Sequence, residues 1–170
     1  MPQIDLPPGD GEATTRMWSL APHLGAAAKA FSDAVQDGVG LPLREMEAAR
    51  IRIAHINGCI PCSEARIEDP TGLGIDESFY ADVDDPAKRS RYTVREALAI
   101  GFAERFTAGR ESYDDEFWDA MRANFSPTEI VELTVSCAKW MGLGRLNAVL
   151  GMEVSCPIVI PRPTFAEAAE

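Results

Sequence analysis

The sequence is short of the features that mark membrane, nucleic-acid-binding and secreted chains. No apolar run approaches the roughly 20 residues needed to span a bilayer, so no membrane span is expected. Cations are in the minority, 16 Lys and Arg against 27 Asp and Glu, for a formal charge of −11. A surface that acidic repels phosphate backbones and anionic lipids, which argues against nucleic acid or membrane surfaces as main partners. No segment sustains the period-two alternation of a half-buried strand, and the chain has neither an internal repeat nor a low-complexity stretch. The first residues, Met1-Pro-Gln-Ile-Asp-Leu6, carry neither the basic end nor the apolar block of a secretory signal, so a cytoplasmic protein is expected. Histidine is scarce, with His23 and His55 the two present, and cysteine stands at four positions, 59, 62, 137 and 156. In a reducing compartment such thiols are more often catalytic or metal-bound than part of a permanent disulfide framework.

What is there reads as helix. With 46% hydrophobic and 25% charged residues over 170 positions, the chain has enough apolar material for an ordinary core. No break in composition divides it, so a single domain is expected over 1–170. It comprises an N-terminal arm (1–13), a helical core (14–155) and a C-terminal arm (156–170), the arms being marked by proline and glycine. The tail around Ile158-Val159-Ile160 is free to lie on a neighbouring subunit.

Leu24, Ala27, Ala28, Phe31 and Val35 recur at helical spacing up to Gly38 and Gly40. The next helix begins beyond Pro42, with Arg44 and Glu45 expected to face water. Asp76 caps a short helix; Thr93 with Glu96, and Ser126 with Glu129 and Pro127, have the spacing of capping boxes. Gly142 and Gly144 are expected to interrupt the last helix. The predicted fold is all-α.

The chemistry concentrates in Glu47-Ala-Ala-Arg-Ile-Arg-Ile-Ala-His-Ile-Asn-Gly-Cys-Ile-Pro-Cys62. A helix carrying Glu47 and His55 breaks at Asn57-Gly58, and a second helix, expected to run to Ile67, opens with Cys59 and Cys62. Two thiols three positions apart can form a disulfide, and the free amides of a first helical turn favour thiolate over thiol. Cys62, one turn in, is the better attacking candidate with Cys59 as resolver, although the reverse assignment stays open. Glu47, if half-buried, could act as general base, and His55 could relay the proton.

Plainer readings stand beside these. Glu47 could be a solvated first-turn residue and His55 a structural histidine; His23 serves nothing obvious. Cys137 lies in an apolar helix as a small core residue, and Cys156 has no visible partner. Zinc would need two further ligands, and Cys137, Cys156 and His55 lack the second CxxC spacing of a strong site. The three tryptophans, 18, 118 and 140, fall at helix-face positions expected to be core.

From Glu47 to Cys62 the sequence resembles the carboxymuconolactone decarboxylase/AhpD-like superfamily, specifically its alkylhydroperoxidase branch. That branch carries a glutamate, eleven residues, CxxC, three residues and a histidine; Glu47, Cys59 and Cys62 match in type and spacing. Arg50-Ile-Arg-Ile-Ala54, Glu129-Ile-Val-Glu-Leu-Thr134 and Arg145-Leu-Asn147 add to the resemblance, which spans roughly residues 20–152. It implies an AhpD-like multi-helix fold forming homo-oligomers, as dimers, trimers or hexamers. It also implies a cofactor-free, metal-free thiol peroxidase that reduces a hydroperoxide or another small molecule and is regenerated by an external dithiol donor. Carried over, Cys62 would be peroxidatic, Cys59 resolving and Glu47 the base or relay. Two positions depart from the pattern: Pro61 precedes the second cysteine, and Arg66 replaces the histidine. An arginine cannot relay protons near neutral pH but could hold a thiolate or an anionic substrate, leaving His55 to replace the missing imidazole. Two other functions compete: a decarboxylase-type lyase, which the CxxC argues against, and a non-catalytic oligomeric stress protein with inert or metal-bound thiols.

Overall fold

The computed structural model describes residues 1–152 and 159–161. In chain order the helices are α1 (Ala13–Trp18), α2 (Pro22–Gly38), α3 (Leu43–Asn57), α4 (Ile60–Glu64), α5 (Glu77–Ala81), α6 (Val94–Ala108), α7 (Asp115–Asn124) and α8 (Pro127–Leu150). Short 3-10 turns at Pro86–Arg91 and Arg110–Ser112 bracket α6. None of these helices is long and apolar enough to cross a membrane.

The helix starts follow their capping chemistry. Thr93 and Ser126 each accept from the backbone amide three residues on, while Glu96 and Glu129 reach back to the cap amide. Asp76 and Asp114 cap α5 and α7 in the simpler one-way form.

α3 is the centre of the molecule, wedged against α6 and α8. Its Ala49 and Ile53 belong to a cluster with Phe102 and Ala103 of α6, Met121 of α7, and Leu133 and Cys137 of α8. Its Ala48, Ile51 and Ala54 belong to a second cluster with Phe79, Tyr80, Val83, Tyr92 and Ile100. A helix enclosed on both flanks must settle its polar residues internally. Arg44 and Glu45, expected in water, are therefore tied across elements. Arg44 donates to Glu96 of α6 and to the carbonyls of Leu73 and Gly74. Glu45, only 7% exposed, accepts from Arg95, which also bonds Glu129 of α8.

Three further expectations are revised. The helix after the cysteines ends at Glu64 instead of Ile67, because Ala65 turns extended and Arg66–Ile67 form a strand, β1. β1 pairs in parallel with β2 (Val159–Ile160), Arg66 opposite Val159 and Ile67 opposite Ile160, so this part of the tail lies on its own chain. Cys156 and the rest of the tail are outside the described residues. Finally, α8 runs unbroken through Gly142 and Gly144, its backbone hydrogen bonds outweighing a glycine cost of about 1 kcal/mol each.

Candidate active site

The α3–α4 junction brings the thiols into place. Gly58, at φ 64°, takes the left-handed cap that ends α3, and its amide bonds the carbonyl of His55. The amide of Cys59 bonds Ala54, so the chain turns directly into α4 with Cys59 as its first flanking residue. Cys59 and Cys62 are joined in a disulfide with Cα atoms 5.3 Å apart. Cys59 is 1% exposed, whereas Cys62 is half-buried and faces a cavity of about 640 Å³. The sulfur a substrate can reach from that cavity is therefore the second of the pair.

Glu47, 2% exposed, opens on the same cavity ten residues before Gly58's neighbour Asn57 on α3. Its two oxygens accept from Nε and Nη2 of Arg50, each at 2.6 Å. Arg50 extends the arrangement, donating to the carbonyl of Cys62 and, at 3.1 Å, to that of Ala65. A five-residue helix leaves its last carbonyls without internal partners, and Arg50 supplies them from α3. Tyr80 stands beside Glu47; burial, with the adjacent carboxylate, pushes its phenol well above the ordinary range, so it remains a neutral hydroxyl.

The far wall is α8. Its Lys139, Trp140, Leu143 and Gly144 line the cavity, facing Val35 and Val39 on the α2 side, and Ile67 and Ile160 of the strand pair contribute to the lining. Asn57 ties the junction to this wall, accepting from Arg145 at 3.0 Å and donating to the carbonyl of Trp140 at 3.2 Å. Gly144 suits that approach: a Cβ there would crowd Asn57 Nδ2 at 3.0 Å and touch Cys62 Sγ in ordinary contact at 3.8 Å.

The two other predicted residues are not brought to this cavity. His55 lines a separate shallow hollow with Gly58, Ile60, Ser63, Glu64 and Asp84, and its Nδ1 lies 2.7 Å from Asp84. Asp84 also accepts from Arg52 at 2.6 Å, so the histidine belongs to a hydrogen-bonded group at the surface. The cause is angular: eight residues on, α3 has turned past the direction in which Glu47 points. Arg66 forms a fork with Glu77, two bonds of 2.9 Å, and lies 4.1 Å over the ring of Tyr80. With its remaining nitrogen on the carbonyls of Ser63 and Ala65, it secures the exit from α4 and does not line the cavity. His23 is exposed on α2. Among the described residues no three His, Cys, Asp or Glu side chains gather into a metal-holding cluster.

No family model and no curated protein matches the chain by sequence. In three dimensions it is similar to a crystallised protein of unknown function from Agrobacterium tumefaciens, provisionally described as an antioxidant defence protein AhpD. The TM-score is 0.71 at 23% identity, over 82% of this chain and 96% of that one. The chain has an AhpD-like all-helical fold.

Within this AhpD-like frame, sequence reasoning missed Arg50, Tyr80, Lys139, Trp140 and Gly144. Arg50 was legible in part: a cation one turn after Glu47 on a helix stripe is placed to pair with it. Nothing local in the sequence signals that α8, some eighty positions later, supplies the opposite wall.

Proposed function

We propose that the protein is a thiol-dependent antioxidant oxidoreductase that reduces hydroperoxides through Cys59 and Cys62 and is recharged by an external dithiol. The observation that carries this reading is that the reachable sulfur, Cys62, and a buried carboxylate, Glu47, open on one predominantly apolar cavity.

The reduced dithiol begins the cycle. Glu47 takes the proton of the Cys62 thiol, and the thiolate attacks the terminal oxygen of the hydroperoxide; the O–O bond breaks, sulfur gains OH, and the departing alkoxide takes that proton from Glu47 to leave as alcohol. Cys59 then attacks the Cys62 sulfenic acid: an S–S bond forms, the S–O bond breaks, and hydroxide leaves as water with the proton that the Cys59 thiol gives up. Two electrons pass from the dithiol to the peroxide, giving one alcohol and one water. Exchange with an external dithiol, attacking at the accessible Cys62, returns both thiols and releases the donor as its disulfide. Arg50 positions the parts, holding Glu47 with one edge and the Cys62 carbonyl with the other. His55 and Arg66 have no step in this scheme.

The test is steady-state consumption of cumene hydroperoxide with dihydrolipoamide as donor. Wild type is expected to turn over, Cys62→Ser to be inactive, and Glu47→Gln to lose about a hundredfold or more, the range for a missing acid–base group. Equal activity in wild type and Cys62→Ser would overturn the reading.

A further inference from the structure

Among the described residues, Glu47, Arg50 and Lys139 bring ionisable side chains to the cavity, and their charges do not balance. Glu47 and Arg50 neutralise each other in a bidentate pair. Lys139 is half-buried, lines the same cavity, and makes no hydrogen bond or ion pair among the described residues. The carboxylates that exert an attraction on it are Glu47 and Asp33. Glu47 is taken by Arg50, and Asp33 is bonded to Lys29 at 2.6 Å. Burial and the neighbouring Arg50 pull the Lys139 ammonium below its ordinary pKa, the signature of a cation short of a counter-charge.

The surroundings are otherwise apolar, with Val35, Val39, Met46, Trp140 and Leu143 among the walls. A cavity of about 640 Å³ lies within the range that takes whole small ligands. Lys139 and Gly144 are five residues apart on α8, about 7.5 Å of axial rise, and Gly144 is the point where the helix meets Cys62. The Lys139 ammonium and the reachable sulfur are therefore separated along one wall of an apolar chamber.

We infer that the cavity selects amphipathic monocarboxylates, an apolar body lying against α2 and α8 with its carboxylate on Lys139. A medium-chain acid bearing a hydroperoxide on its apolar part would present the O–O bond towards Cys62. As a statement of substrate class the inference rests on the peroxidase reading; as a statement of binding it does not.

The experiment separates the two by leaving out peroxide and donor. Isothermal titration of the oxidised full-length protein compares decanoate with decanol, which share the apolar chain and differ in the charged head. Decanoate is expected to bind about tenfold or more tightly than decanol, the worth of one charge-assisted hydrogen bond. Lys139→Met is expected to erase that preference while still binding decanol, and Lys139→Arg to keep it, with thermal melts confirming that both variants fold. Equal affinities in wild type, a preference that survives in Lys139→Met, or no binding of either probe would each overturn the inference. A failed peroxidase assay would leave this binding result untouched.

Discussion

The guanidinium of Arg50 holds the carboxylate of Glu47 by two bonds of 2.6 Å and, from its third nitrogen, the carbonyl of Cys62. One side chain thus fixes the buried carboxylate and the thiol segment to each other, across the break between α3 and α4. Both Arg50 and Glu47 are buried, at 7% and 2% exposure. Removing the cation leaves an unpaired buried carboxylate, the expensive way to break such a pair. Arg50→Met is accordingly expected to cost about 3–5 kcal/mol in urea unfolding. Arg50→Lys keeps the charge but not the fork, and is expected to fall between the two. A loss under about 1 kcal/mol for Arg50→Met, the scale of exposed pairs, would contradict a buried clamp.

Gly142 and Gly144 make a matched pair on one helix. A Cβ on Gly144 meets Asn57 at 3.0 Å, while one on Gly142 meets nothing within 4 Å. Gly142→Ala is expected to stabilise by about 0.4–1 kcal/mol, and Gly144→Ala to destabilise by about 1–3 kcal/mol through overpacking. The Gly144 variant should also slow peroxide turnover, because the crowded group, Asn57, sits at the junction that carries Cys59 and Cys62. Equal and favourable shifts for both, in parallel urea titrations, would mean that α8 does not approach the thiol junction so closely.

Much of this was readable beforehand, and the reasons differ by feature. The caps at Asp76, Thr93 and Ser126 are local chemistry, settled within four residues, and they stand where the spacing put them. The Asn57-Gly58 break is equally local, since the left-handed turn needs what glycine supplies. The reading failed where partners lie far along the chain. Arg44 and Glu45 look like solvent residues at a helix start, yet Glu96 and Arg95, some fifty positions on, draw them inside. The stretch after Cys62 looks helical until the pairing of β1 with Val159–Ile160 is known. Gly144 reads as a helix breaker until Asn57 is seen pressed against it.

His55 tests the geometry of the site directly. It sits on Asp84 in a separate hollow, so His55→Asn should leave peroxide turnover within about twofold, whereas loss of a proton relay would cost about a hundredfold. Comparison of kcat/KM for the two proteins at neutral pH decides the matter. A hundredfold loss would put the histidine back into the proton path.

Glu96 carries a pH dependence. Burial works to raise its pKa, but the bond from Arg44 and those from Thr93 outweigh it and hold the folded carboxyl below the ordinary glutamate range. A folded value below the unfolded one contributes stability that is fully present above the unfolded value, about 4.3, and is lost as pH falls through the folded value. Wild type should therefore exceed Glu96→Gln in urea midpoint at neutral pH, and the gap should narrow as the pH falls below about 4. A gap that stays constant on acidification would show that the charged form is not what stabilises.

The central claim is that Cys62 is the sulfur that meets the peroxide, and the most direct measurement is mass mapping of the thiols after one equivalent of cumene hydroperoxide. In reduced wild type, conversion to the Cys59–Cys62 disulfide is expected with Cys137 unchanged, since Cys137 is fully buried and burial pushes its thiol far up. In Cys59→Ser a sulfenic acid on Cys62 is expected, trapped by dimedone. Oxidation at Cys59 in the Cys62→Ser protein, or thiols that stay reduced throughout in wild type, would contradict it.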